Sequence, residues 1–346
     1  MPKERFHLYL ADRVVHRCAS SLSSGILRQC ITGPESLTFY IGSISPDIFF
    51  YDLPFFSLSP LGDALHDLMD RKGISIIFDW MVSNREKSLE AGGVLWGLGL
   101  ASHFLADAAW HPVIEELSRH GLQIEAESGG QREKHDAGGG LRAKGETGLL
   151  PPRCFSASVF FNSPFPGSRF CVSGIVCHRL LESEIEAFRL AGSLDPSKYD
   201  ALLKAFGTDK RRLHKIASYY RRFLEFAGLP PQVGPRDRAC RRVERLSTPD
   251  TEVFERRIVR CFLLQRFLLR LFANKLLGRQ RDLLLSISPF LGSLVTPGRP
   301  ILPGPFSGAF PDCRNPFSDC FLEQSFAYLE LHFCGLTEKL SQIPAP

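Results

Sequence analysis

Apolar residues recur at helical spacing along most of the chain, whereas the strict alternation typical of a half-buried strand is scarce. Apolar positions at i, i+3, i+4 and i+7 form one stripe on an amphipathic helix. The pattern predicts helices over residues 7–23, 61–69, 74–84, 90–117, 172–190, 196–206, 210–227, 251–285 and 320–339, and an apolar stretch over 36–48 that ends around Pro46. The predicted fold class is all-α, as a multi-helix bundle.

Two stretches lack this periodicity and divide the chain. Glycine and proline clusters crowd residues 121–171, which predicts a long inserted, flexible loop. Leu229-Pro230-Pro231 and Gly234-Pro235 predict a linker. We therefore predict a helical domain over residues 1–228, which contains the insertion, and a basic helical extension over residues 229–346. No internal repeat is found.

Composition and charge are those of an ordinary soluble protein, with 44% hydrophobic and 23% charged residues among 346. The formal net charge of +5 is too small over this length to argue for nucleic-acid binding. The first ten residues, MPKERFHLYL, have no apolar core typical of a secretory signal. No uninterrupted apolar run is long enough to predict a membrane span. The predicted location is cytoplasmic.

The ten cysteines lie far apart, and no Cys-x-x-Cys pair occurs. In a chain without an export signal, this spacing predicts reduced thiols rather than a disulfide framework. It also disfavours zinc bound by cysteine clusters. Any metal site has to be built from histidines and carboxylates.

The most informative motif lies in the long apolar stretch 90–117, where His103, Asp107 and His111 follow one another at intervals of four residues. On a helix this spacing places neighbours on one face, about 5–6 Å apart at Cβ. A carboxylate in an apolar helix has to be paired or coordinated, because burying it bare is costly. A His–Asp pair can be purely structural, but three potential ligands in register favour a metal site.

A second pair, His178 and Glu182, has the same i, i+4 spacing, which fits a solvated surface pair as well as a ligand pair. His7, Asp47 and His66 are single candidates, and each by itself is more typical of a cap, a surface group or a core residue. The other histidines are interpreted as structural or solvated: His16, His120, His135, His214 and His332.

Together these motifs resemble the zinc-dependent phospholipase C family, which is related in fold to the single-strand-specific zinc nucleases. The matching segments occur in the family's order within the first part of the chain, up to residue 190: the early helix with His7, Gly42–Asp47, Leu61–His66, His103–Asp107 with His111-Pro112, and His178–Glu182. The resemblance implies a helical bundle whose core holds two or three zinc ions.

The resemblance also implies a role for each matching residue. One zinc ion is expected on His66, His103 and Asp107, and a second on His111, His178 and Glu182. Asp107 is expected to bridge to a third ion that His7 helps to bind. Asp47 is the expected catalytic residue, as a general base or as the group that orients the attacking water.

The implied enzyme is a zinc-dependent hydrolase of phosphoesters, and the expected substrate class includes phospholipids. Zinc lowers the pKa of bound water to about 7, and neighbouring ions stabilise the attacking and leaving oxygens at phosphorus. The aromatic residues that follow Asp47 either line a substrate cleft or, as is more common, belong to the core: Phe49, Phe50, Tyr51, Phe55 and Phe56.

Two alternatives stay open. A single-strand nuclease needs a basic groove with aromatic stacking platforms, but the basic stretch from Arg236 onwards lies away from the ligands in sequence. A non-catalytic, metal-stabilised scaffold would use its C-terminal part to bind a partner or a membrane surface. The basic amphipathic stretch 256–270 suits anionic lipid, although the solvated face of a bundle helix is the commoner explanation. The sequence leaves the oligomeric state undetermined.

Overall fold

A computed structural model describes residues 3–21, 25–33, 35–52, 58–85, 91–132, 182, 185, 202, 205, 209–229, 250–273 and 319–343. These ranges contain helices and no strand, which confirms the all-α class. The α-helices are α1 (Lys3–Ser21), α2 (Gly25–Thr32), α3 (Ser36–Ile44), α4 (Ser59–Lys72), α5 (Ser75–Arg85), α6 (Ala91–Arg132), α7 (Lys210–Phe226), α8 (Asp250–Ala273) and α9 (Asp319–Gln342). A 3-10 helix (Pro46–Tyr51) follows α3. Within the described ranges, no helix combines the length and the apolar character needed to cross a membrane.

Local sequence signals explain the helix ends that were predicted within a few residues. The side chain of Asp209 caps α7 by accepting a hydrogen bond from the Arg212 backbone N–H at 3.0 Å. That helix ends at Phe226, and Gly228, two residues further on, has a φ of 76° that suits glycine. Gly73, with φ 64°, directly follows the last residue of α4. Capping residues and glycines are thus sufficient to set these boundaries.

One helix and one boundary differ from the prediction. Helix α2 was not predicted, because its eight residues are too few for a clear apolar repeat. Helix α6 contains Pro112 and continues to Arg132, into the first part of the predicted insertion. Two glutamates and two glutamines in residues 121–132 favour helix, and this preference outweighs the glycines of that segment. Residues 133–181 of the chain lie outside the described ranges.

The closest contact between helices is the crossing of α3 and α6. A Cβ atom placed on Gly42 would lie 2.4 Å from the Trp96 carbonyl oxygen, and one on Gly99 would lie 2.0 Å from the Phe39 carbonyl oxygen. No side chain fits at either position, so the two glycines permit the backbones to touch. The crossing brings Ser43 of α3 next to His103 of α6, one turn beyond Gly99.

The other helices surround this pair. Helix α1 packs on α2, α3, α6 and α9, while α4 and α8 pack on the 3-10 helix and α7 packs on α8. Helix α8 buries Phe254, Ile258 and Phe262 and exposes Arg256 and Arg260, so these arginines lie on the solvent face of a bundle helix. Buried residues of α8 and α9 belong to the same hydrophobic cluster as those of α1, α3 and α6. The boundary at residue 229 stays a prediction.

A disulfide bond joins α1 to α9 through Cys18 and Cys334. The prediction of reduced thiols was wrong for this pair. It rested on spacing along the chain, and two cysteines 316 positions apart are brought together only by the packing of the two helices. Cys30 and Cys261 are buried thiols, as predicted. The cytoplasmic location stays a prediction.

The glycine crossing gives a first test. We expect Gly99→Ala to lower the free energy of unfolding by about 1–3 kcal/mol, because the added methyl group forces two backbones apart. Urea unfolding followed by circular dichroism measures the change. The matched control is Gly335→Ala in α9, where an added Cβ meets no atom within 4 Å. That variant should gain about 0.5–1 kcal/mol; equal losses in both variants would contradict the crossing.

The disulfide gives a second test. Replacing Cys18 and Cys334 together by serine should cost about 2–5 kcal/mol of stability, because the bond restricts the unfolded chain over a long loop. Thermal unfolding with and without reductant checks this. Reductant should lower the Tm of the wild-type protein and leave the Tm of the double variant unchanged. A wild-type Tm that is insensitive to reductant would refute the bond.

Candidate metal centre

The carboxylate of Asp107 lies at the middle of four histidine rings. Its Oδ1 is 3.3 Å from His7 Nε2 and 3.2 Å from His111 Nε2. Its Oδ2 is 3.0 Å from His103 Nε2 and 3.5 Å from His66 Nε2. Each carboxylate oxygen therefore faces two imidazole nitrogens, which is an arrangement that suits a carboxylate bridging two cations.

The hydrogen bond of His103 determines which of its ring nitrogens faces Asp107. Its Nδ1–H donates to the Ser43 carbonyl oxygen at 2.9 Å, and a carbonyl can only accept. In the neutral ring Nε2 then carries a lone pair, directed into the cluster. Such a bond from the other ring nitrogen to a carbonyl is typical of a metal-ligating histidine.

The same nitrogen provides a test of whether a cation fits. His103 is fully buried, and its Nε2 forms no hydrogen bond with any described residue although Asp107 Oδ2 is 3.0 Å away. The oxygen therefore lies outside the direction in which an N–H at Nε2 would point. A protonated ring would leave that N–H unsatisfied, whereas a cation near both atoms satisfies the nitrogen and the oxygen. The residues present fit a metal ion.

His66 lies on a different helix, and its ring also turns Nδ1 towards a backbone carbonyl and Nε2 towards the centre. Its Nδ1–H donates to the Gly62 carbonyl oxygen at 2.9 Å, one turn earlier in α4. Its Nε2 points towards Asp107 and lies 3.9 Å from Asp47 Oδ1. Asp47 is fully buried in the first turn of the 3-10 helix. The candidate catalytic residue thus lies beside a predicted ligand, close enough to act as a ligand itself.

The remaining ligands lie on the other side of Asp107. His7 of α1 stacks on His103, with ring centroids 3.9 Å apart. His111 Nε2 lies 3.7 Å from Oε1 of the buried Glu182. The structure therefore brings six of the seven predicted ligands and Asp47 to one place. The seventh, His178, lies outside the described residues.

Two sets of three ligand atoms within these residues are compact enough to share an ion: His7, His103 and Asp107 in one, and Asp47, His66 and His103 in the other, with all atoms of each set within 4.8 Å of one another. His103 belongs to both, so the sets describe adjoining positions around one histidine. This differs from the partition that the resemblance implies, in which His7 and His103 serve different ions. Both partitions place His66 and His103 around one ion and His7 and Asp107 around another.

A small cleft opens on the His7, His111 and Glu182 side of the centre. Among the described residues, its other lining side chains apart from Asp107 are apolar: Phe6, Leu10, Ala106, Trp110, Ile114 and Ile185. Polar candidate ligands and apolar side chains thus meet on this side of the centre.

Sequence analysis missed a buried polar group next to the centre. Glu4 is fully buried, and its Oε1 accepts hydrogen bonds from the Tyr51 hydroxyl at 2.6 Å and from Gln265 Nε2 at 2.9 Å. Burial raises the pKa of Tyr51 well above its usual value, so its hydroxyl stays a donor. Burial also raises the pKa of Glu4, and the carboxylate of Asp47 raises it further. The only sequence signal was the helical spacing of Glu4 and His7.

The aromatic residues after Asp47 lie mostly in the core. Phe49 and Tyr51 are buried, and Phe49 packs edge-on against Tyr220 with centroids 5.1 Å apart. Phe50 is partly exposed, 6.3 Å from the His66 ring. Phe55 and Phe56 lie outside the described residues. His16, interpreted as structural or solvated, is half exposed, and its Nε2 lies 3.5 Å from Asp12 Oδ1.

Comparison with known protein families, curated proteins and solved structures finds no match for this chain. The resemblance to the zinc-dependent phospholipase C family therefore stays a prediction.

If the Asp107 centre binds zinc, zinc binding should depend on the His103–Asp107 pair and not on the His16–Asp12 pair, which has the same i, i+4 spacing. His103→Ala removes a ligand nitrogen, so we expect zinc affinity to fall by at least about 10- to 100-fold, the loss typical even of outer-shell changes. His16→Ala, which breaks the i, i+4 pair with Asp12 on α1, should leave zinc binding unchanged. Elemental analysis and zinc titration of the purified proteins measure both. Equal zinc binding by both variants and the wild-type protein would contradict the centre.

Proposed function

We propose that this protein is a zinc-dependent hydrolase that cleaves phosphoester bonds at the Asp107 centre. The observation that supports this proposal most strongly is the Asp107 carboxylate, whose two oxygens each face two imidazole nitrogens beside a cleft. Histidines and carboxylates that leave coordination positions open are typical of catalytic zinc sites.

Zinc bound there would polarise a phosphoryl oxygen and lower the pKa of a water molecule. The protein's own residues supply positioning and proton transfer. Hydrogen bonds to backbone carbonyls fix the rings of His66 and His103. Asp47, which is held in the buried 3-10 helix beside His66, is suited to accept the proton that the attacking water loses. His111 and Glu182 form the edge of the centre next to the cleft.

The apolar side chains around the cleft favour a substrate with an apolar group next to the phosphoester, as in a phospholipid.

A chromogenic phosphodiester, bis-p-nitrophenyl phosphate, tests the proposal. We expect hydrolysis that a chelator abolishes and zinc restores. Asp47→Asn should lower kcat by about 10²–10⁴-fold, as for loss of a general base. The matched control is Asp12→Asn, which changes a buried carboxylate of α1 that bonds the Tyr40 hydroxyl rather than the centre. That variant should keep the wild-type kcat.

The remaining outcomes separate the alternatives. Faster cleavage of phosphatidylcholine than of single-stranded DNA supports the phospholipase-like activity, and the opposite ranking supports the nuclease. A zinc-loaded protein that is inert towards every phosphoester contradicts the proposal and leaves the metal-stabilised scaffold. Wild-type activity in a folded Asp47→Asn variant would remove Asp47 from the reaction.

A further inference from the structure

The 3-10 helix that carries Asp47 is held at its far end by residues from distant parts of the chain. Tyr51, its last residue, donates a hydrogen bond to Glu4 of α1. The next residue, Asp52, forms an ion pair with Arg257 of α8 and accepts from the Leu58 backbone N–H at 3.1 Å. Asp47 and Tyr51 lie four residues apart on this short helix.

Helix α8 contributes two polar groups to this arrangement. Arg257 binds Asp52, and Gln265, two turns further along α8, donates to the same Glu4 oxygen that accepts from Tyr51. Residues eight apart lie on one face of a helix, so both groups project from α8 towards the 3-10 helix. Gln265 is 2% exposed, although it lies on a helix whose neighbouring face is exposed.

Stability alone does not account for a buried carboxylate at this position. Glu4 Oε1 accepts two hydrogen bonds, while Oε2 is buried and accepts none from the described residues. Apolar side chains of similar size often stabilise a core as well as a buried ionic group does. Unlike an apolar side chain, the Glu4 carboxylate fixes the positions of the Tyr51 hydroxyl and the Gln265 amide through directional hydrogen bonds. Glu4 lies one turn before His7 on α1.

We propose that Glu4, Tyr51 and Gln265 form a positioning network that places Asp47 against the metal centre. Glu4 joins the three elements involved: α1 with His7, the 3-10 helix with Asp47, and α8 from the C-terminal part of the chain. Because these residues are buried, they act through Asp47 rather than by touching substrate. This inference rests on the proposed function where it predicts a change in kcat, and only on metal binding where it predicts a change in the spectrum of a bound metal ion.

The test compares two tyrosines that each donate a buried hydrogen bond to a carboxylate of α1. Tyr51→Phe removes the bond to Glu4, and Tyr40→Phe removes the 2.7 Å bond to Asp12. Both variants should lose a comparable amount of thermal stability. Tyr51→Phe should in addition lower kcat by about 10- to 100-fold with little change in KM, the effect expected of a slightly misplaced group. Tyr40→Phe should keep the wild-type kcat.

A readout without catalysis is the visible absorption of the protein loaded with Co²⁺ in place of zinc, which reports ligand geometry. Tyr51→Phe should shift this spectrum, and Tyr40→Phe should leave it unchanged. In an Asp47→Asn background, Tyr51→Phe should have no further effect on either readout, because the group it positions is gone. Gln265→Leu should reproduce Tyr51→Phe and replaces it as the test if that variant fails to fold.

The outcomes distinguish this network from the proposed function. Hydrolysis by the wild-type protein, with Tyr51→Phe matching Tyr40→Phe in both readouts, overturns the network alone. A wild-type protein that binds Co²⁺ but hydrolyses no phosphoester when loaded with zinc overturns the proposed function. The network then stands if Tyr51→Phe shifts the Co²⁺ spectrum and Tyr40→Phe does not, and it is overturned if the two spectra are the same. An undiminished effect of Tyr51→Phe in the Asp47→Asn background also overturns it. A wild-type protein that binds no Co²⁺ overturns both.

Discussion

Backbone contact between α3 and α6 at Gly42 and Gly99 is the constraint from which the rest of the arrangement follows. Since neither position has room for a Cβ, the helices approach until Ser43 lies against His103. The Ser43 carbonyl then sets the proton on Nδ1 of His103 and directs Nε2 towards Asp107. The same crossing ends α3 close to the centre, where the chain turns into the 3-10 helix that carries Asp47.

The second consequence is electrostatic. The crossing buries Asp47 and Asp107 almost completely, and Glu182 and Glu4 are buried nearby. Carboxylates in such a place cost free energy unless cations or hydrogen bonds compensate for the lost water. Here the compensation comes from imidazoles, a phenol, an amide and, in our proposal, bound zinc. A bundle selected for stability alone would favour apolar side chains at these positions, and the polar centre is therefore consistent with the proposed function.

The C-terminal helices belong to this arrangement. Helix α8 reaches the 3-10 helix through Arg257 and Gln265, and α9 is joined to α1 by the Cys18–Cys334 bond and by the ion pair of Arg17 with Glu323. Phe321 of α9 also packs edge-on against Trp110, a wall residue of the cleft, with centroids 4.7 Å apart. Helices α8 and α9, which are far from the ligands in sequence, thus support the 3-10 helix that carries Asp47 and a wall of the cleft.

By itself, the sequence determined what local rules control. Apolar periodicity identified most described helices, caps and glycines set several of their ends, and the four-residue spacing placed His103, Asp107 and His111 on one face. Other features depend on tertiary structure: the meeting of Cys18 with Cys334, the network of Glu4, Tyr51 and Gln265, and the grouping of His7 with His103. The reason is physical, because hydrogen-bond direction, ligand distance and burial are set by how helices cross, and residues hundreds of positions apart carry no periodicity that encodes the crossing.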